Sequence, residues 1–127
     1  MSINYTTFVI DNRLTGTASS INTGGAGSLK LYASGTLVST ITFSLPCGTV
    51  NAGILTFTGQ LLDTSAAGTG QANSAQIFDG AGDLVASGLT VGIAGSGADV
   101  IISNGLNSTL ISSGQVVALL GAQIIGS

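Results

Sequence analysis

Five carboxylates, one thiol and two cations are the main reactive groups of this 127-residue chain. The carboxylates are Asp11, Asp63, Asp79, Asp83 and Asp99. The thiol is Cys47, and the cations are Arg13 and Lys30. His, Glu and Trp are absent. General acid–base catalysis draws mostly on His, or on paired carboxylates with shifted pKa values. A Ser or Cys nucleophile needs an adjacent base, and the chain has no Gly-x-Ser-x-Gly elbow. The expectation is a protein that is not an enzyme.

The other chemical motifs also reduce to turns. Asp79-Gly80-Ala81-Gly82-Asp83 sets two carboxylates around glycines, as a calcium loop could begin. A full calcium site takes six to eight oxygens, whereas Asp and Gly suit a tight turn unaided. Gly24-Gly25-Ala26-Gly27 and Gly95-Ser96-Gly97 could suggest phosphate cradles, but no Lys follows and no strand-to-helix unit surrounds them. Zinc would need His or further Cys. No cofactor or metal is expected. Cys47 cannot form an intrachain disulfide. A lone Cys is commonly a small buried side chain; in an assembly it can instead bridge two copies.

These groups must be carried by regular elements. Over residues 7–22, Ile10, Leu14, Ala18 and Ile21 fall on one face at helical spacing, and Gly24-Gly25 supply a stop. The spacing predicts a short helix after an extended lead-in. From Ser28 onward the period is two. Leu29 and Leu31 alternate with polar neighbours, and Leu37, Ile41, Phe43 and Leu45 share a face. Ala33-Ser34-Gly35 reads as the turn of a hairpin. Pro46-Cys47-Gly48 ends the second strand, and Ile54–Leu61 resumes with Leu55, Phe57 and Leu61 inward. A loop follows at 64–70. Residues 72–78 and 84–91 form a second hairpin about the Asp79–Asp83 turn. Val100–Ser103 is a short strand and Asn104–Ser108 a polar loop. Gln115–Ile125 is the last strand. Val116, Ala118, Leu120, Ala122 and Ile124 make one apolar face, and Val117, Leu119 and Ile125 make the other apolar too. Such a strand is expected to be central, or to bury its second face against a partner.

The pattern predicts one all-β domain. It is an antiparallel sandwich of about seven or eight strands, jelly-roll or Ig-like, over residues 28–127. Residues 1–27 form an arm and short helix that packs on this core or extends from it. The core is expected to hold Phe43, Phe57 and Phe78. Candidate interaction residues are Ile10, Leu14 and Ile21 on the helix, Cys47, and Val117 and Leu119 on the last strand.

Charge excludes some partners. Charged residues are 6% of the chain and the net charge is −3, against about 25% charged in a typical soluble domain. Two cations cannot neutralise many phosphates, so nucleic acid is not expected as a partner. No stretch reaches the roughly 20 apolar residues of a transmembrane helix, and the N-terminus does not read as a secretory signal. A soluble protein made in the cytoplasm is expected. So few charges leave little repulsion between copies, a liability for a free monomer but not for a component of an assembly.

An ordered set of segments is distinctive: Asp11-Asn12-Arg13-Leu14, Gly24 to Leu31, Pro46-Cys47-Gly48-Thr49-Val50, Ala75-Gln76-Ile77-Phe78-Asp79, Gly88-Leu89-Thr90-Val91 and Gly114-Gln115-Val116-Val117. Together they resemble small proteins encoded among the virion-structure genes of tailed bacteriophages. The resemblance covers most of the chain and carries no site residues. It implies a virion component made in the host cytoplasm, with a capsid decoration or cement protein foremost. Its partners would be the major capsid protein or other virion proteins, and its copies would form dimers or trimers. A neck, tail or fibre station shares every one of these features. A carbohydrate- or receptor-binding module is a third reading; it would need stacking aromatics, and Tyr5, Phe8, Tyr32, Phe43, Phe57 and Phe78 are the whole supply.

Overall fold

A computed structural model describes residues 7–58, 61–93, 95–103 and 109–125. Side chains are described for these residues except Thr7, Phe8, Ser103, Leu120 and Ile125. The expected lead-in before residue 7 and the polar loop at 104–108 lie outside them, as does the placing of Leu120 and Ile125 on faces of the last strand.

The helix forms where the apolar spacing predicts it, as α1 (Thr7–Ile21). Its sequence is rich in Thr and Ser, which are mediocre helix formers because their hydroxyls compete for backbone groups. Here the hydroxyls bond within the helix. Thr15 and Thr17 donate to the carbonyls of Asp11 and Arg13, and Ser20 donates to that of Gly16. Leu14 and Ile21 are buried, while Ile10 and Ala18 pack on the core from its margin. The stripe is therefore used within the chain, against the sheet.

The strands are β1 (Ser28–Ala33), β2 (Thr36–Thr42), β3 (Gly48–Asn51), β4 (Ile54–Phe57), β5 (Leu62–Asp63), β6 (Gly70–Gln71), β7 (Ser74–Phe78), β8 (Leu84–Gly92), β9 (Val100–Ser103), β10 (Leu110–Ile111) and β11 (Val117–Ile125). Nine of them join one curled sheet in the order β2-β1-β7-β8-β9-β11-β4-β3, with β5 on β11. β6 and β10 make a separate pair. The fold is thus mostly β with one short helix. The described strands make one long curled sheet and a small two-stranded one. They also outnumber the expected seven or eight, because β3, β5, β6 and β10 are too short to show a period.

Both expected hairpins are present. β1 pairs antiparallel with β2 through Ser34-Gly35, both at positive φ (49° and 88°). That is the two-residue turn whose twist matches paired strands. β7 pairs with β8 around Asp79, whose Oδ1 accepts the Ala81 and Asp83 N–H groups at 3.0 and 2.8 Å. A third hairpin, β3–β4, turns through Ala52-Gly53, again at positive φ (51° and 81°).

The sheet is not wholly antiparallel. β8 and β9 run parallel, with Val91 opposite Val100 and Gly92 opposite Ile101. All other pairs among the described residues are antiparallel.

The curl is visible at its seam. Asp63 Oδ2 accepts from the buried Ser39 hydroxyl at 2.7 Å and from the Thr40 N–H at 3.1 Å. The Ala67 and Gly68 N–H groups both donate to the Val38 carbonyl. The outer edge of β2 is thereby covered, which blunts a template for aggregation. Farther along, the Phe43 and Phe57 rings stack at 4.4 Å, within 4° of parallel.

Candidate interaction surface

A surface site needs side chains that the fold itself does not consume. The aspartates are largely consumed. Asp11 Oδ1 accepts the Gly53 N–H at 2.7 Å, tying α1 to the β3–β4 turn. Asp63 holds the seam and also accepts the Ser65 N–H. Asp79 closes its own turn. Asp99 Oδ2 accepts the Thr90 N–H and hydroxyl at 3.1 and 3.2 Å. Each of these four carboxylates accepts at least one backbone N–H, the arrangement expected of structural acids. Among the described residues no three His, Cys, Asp or Glu side chains converge.

The predicted interaction residues fall mostly inside. Leu14, Ile21, Cys47 and Val117 are buried, and Ile10 and Leu119 are half-buried against the same core. Cys47 lies against the C-terminal end of α1. The Asn22 carboxamide accepts the Cys47 N–H at 3.0 Å, and the thiol lies 3.9 Å from the Ala18 carbonyl. Cys47 has no exposed surface, so a bridge between copies is closed to it. Val117 and Leu119 point inward because β11 carries one extra residue opposite β9, between Leu119 and Gly121. Inward positions are Val117 and Leu119 before the bulge, and Ala122 and Ile124 after it. A bulge reverses the parity of a strand, so no single alternation runs through.

Burial pushes the Cys47 thiol pKa up, against a smaller lowering by a backbone hydrogen bond. A disulfide reagent such as Ellman's is expected to find no reactive thiol in the native protein at pH 8, and one per chain after denaturation. The raised value also has a linkage consequence. The stability it contributes is whole below the thiol's ordinary pKa and is lost as pH rises through the folded value, because the unfolded chain ionises first. Urea midpoints of the wild type should therefore fall more steeply above pH 9 than those of Cys47→Ala.

The apolar side chains that do reach solvent are Leu45, Leu84, Leu110 and Val116, at 45–59% exposure. Each lies where a strand meets a turn, so alternation gives no warning of its direction. Val116 is 55% exposed while Val117 is fully buried; one residue decides the face. Phe78 is also outside the core. On β7 the inward residues are Ala75 and Ile77, and Phe78 takes the Lys30 ammonium over its ring at 4.6 Å.

No protein-family model, curated protein or solved structure matches the chain. Two shallow cavities of about 220 and 190 Å³ lie beside Asp99. They are smaller than the roughly 300–1,000 Å³ of a small-molecule pocket. The surface offers scattered apolar projections, few charges and shallow relief.

Proposed function

We propose that this chain is a non-enzymatic structural protein of a tailed-bacteriophage virion, and foremost a capsid decoration protein. The observation that carries this reading is what the fold leaves outside. Four of the five carboxylates are engaged by its own backbone, while Leu45, Leu84, Leu110 and Val116 face solvent. Such a surface is suited to being covered by neighbours. The likeness of sequence pattern names the neighbours: the major capsid protein or another virion protein. The protein would reinforce the shell by many modest contacts whose sum is large. Dimers or trimers at the symmetry axes of the shell are the natural arrangement.

The finer architecture belongs to the same proposal. We read the curled sheet as a sandwich closed along one side, with β2-β1-β7-β8 facing β9-β11-β4-β3 across the shared core. The Phe43–Phe57 stack and the Asp63 seam support this reading, since both link β2 or its extension to the far half. A carbohydrate module is less well supported. Phe43 and Phe57 are buried, and Lys30 already sits over Phe78.

Quantitative mass spectrometry of purified virions tests the assignment. The expected copy number is comparable to that of the major capsid protein. A few copies per particle would place the protein at the neck, tail or fibre, and absence would refute a virion role.

A further inference from the structure

Asp79-Gly80 is the one Asp-Gly pair in the chain. In such a pair the backbone nitrogen after the Asp can attack the side-chain carbon, because glycine puts no Cβ in the way. The Gly80 nitrogen would bond to Asp79 Cγ. Its proton would pass to solvent, and a carboxyl oxygen would leave as water. The five-membered succinimide that results takes up water at either carbonyl. Opening at the side-chain carbonyl returns aspartate. Opening at the main-chain carbonyl leaves isoaspartate, with the backbone routed through Cβ and the mass unchanged.

The fold holds each reacting group. Water is at hand, since Asp79 is half-buried and Gly80 exposed. The nucleophile is occupied: the Gly80 N–H donates at 2.8 Å to the carbonyl of Thr23, in the loop that ends α1. The electrophile is held as well. Asp79 Oδ1 accepts the Ala81 and Asp83 N–H groups at 3.0 and 2.8 Å. The turn is closed by the Asp79 N–H, which donates to the Asp83 carbonyl at 2.9 Å. The loop also lies on the turn with backbone against backbone. A Cβ added to Gly80 would stand 2.6 Å from the Gly25 nitrogen, and one added to Gly24 would stand 2.9 Å from the Ala81 nitrogen. Attack therefore requires the Thr23 bond to break and the loop to lift.

We infer that Asp79-Gly80 is a site of spontaneous isoaspartate formation that the loop at the end of α1 holds closed, so that modification follows undocking of that loop. What closes the site is a hydrogen bond and close packing, not burial. Isoaspartate adds one atom to the main chain of the turn. The Asp79–Asp83 and Gly80–Thr23 bonds then lose their register, and the loop does not return to its seat. None of this depends on a virion role.

The test is prolonged ageing of the full chain at pH 7, in buffer and in urea. Peptide mapping with electron-transfer fragmentation separates isoaspartate from aspartate, and deamidation of asparagines, which changes the mass, is counted apart. Steady isoaspartate at position 79 is expected in urea. In buffer it should accumulate at least about tenfold more slowly, equivalent to about 1.4 kcal/mol on the barrier. Gly24→Ala, which drives a Cβ into the turn, should age at a rate between the two while still unfolding cooperatively. The Gly80 amide of the wild type should exchange with deuterium at least about tenfold more slowly than in a free peptide of residues 76–84. No isoaspartate in urea would remove the site, and equal rates in buffer and urea would remove the gate. A Gly24→Ala chain that unfolds cooperatively but ages like the wild type would overturn the role of the loop. So would an unprotected Gly80 amide, which decides the matter where Gly24→Ala does not fold.

Discussion

A chain lacking residues 1–22 is expected to lose its cooperative thermal transition and its dispersed amide spectrum. The argument is one of burial. Leu14 and Ile21 are 4% and 0% exposed, and truncating a buried Leu or Ile to Ala alone costs about 2–5 kcal/mol. A domain of this size has only about 5–15 kcal/mol in total. Removing the helix deletes both side chains and bares the core beneath, including Cys47 and Leu55. It also strands two backbone donors: the Gly53 N–H loses Asp11, and the Cys47 N–H loses Asn22. Circular dichroism and an amide spectrum check this directly. A truncated chain that stays folded would make the helix a detachable arm. The single variant Ile21→Ala gives a graded version, with an expected loss of about 2–5 kcal/mol in urea unfolding.

The same residues show what could be read in advance and what could not. The helix was legible because four apolar residues recur at one angle and two glycines follow. The β1–β2 and β7–β8 hairpins were legible because Ser34-Gly35 and Asp79–Asp83 carry turn chemistry between alternating runs. Alternation failed wherever a bulge entered. β2 has an extra residue at Val38, opposite the step from Leu31 to Tyr32, so Val38 and Ser39 are buried in succession. β8 carries extra residues opposite β7, and its burial shows no period of two. β11 reverses parity near Gly121, which put Val117 and Leu119 in the core. A bulge is a relation between two strands and leaves no mark in one strand's own pattern. The parallel β8–β9 pair was hidden because it is only two residues long on each strand, Val91 and Gly92 against Val100 and Ile101, too short to show a pattern. The candidate surface was the least legible part. Its exposed Leu and Val residues sit at or near strand ends, where alternation has stopped.

Asp63→Ala is expected to destabilise the fold by about 3 kcal/mol, the largest effect of any single polar substitution outside the helix. Its carboxylate spans the seam between β5 and the edge of β2. It accepts the Ser39 hydroxyl, the Thr40 N–H and the Ser65 N–H. Hydrogen bonds to a charged group contribute about 1.5–3 kcal/mol, and a buried donor left unpaired costs about 1–3 kcal/mol. Ser39 is fully buried, so water cannot replace the lost acceptor there. The Ser65 bond is exposed and adds little. The distinction can be measured. If most of the loss is the stranded Ser39 hydroxyl, Ser39→Ala should recover part of it in the Asp63→Ala background, giving a coupling of about 1–2 kcal/mol in a double-mutant cycle. If the two substitutions simply add, the carboxylate acts through Thr40 and the β2 edge instead. In that case the exposed edge should show itself as concentration-dependent association, since an uncovered strand edge is a template for another chain.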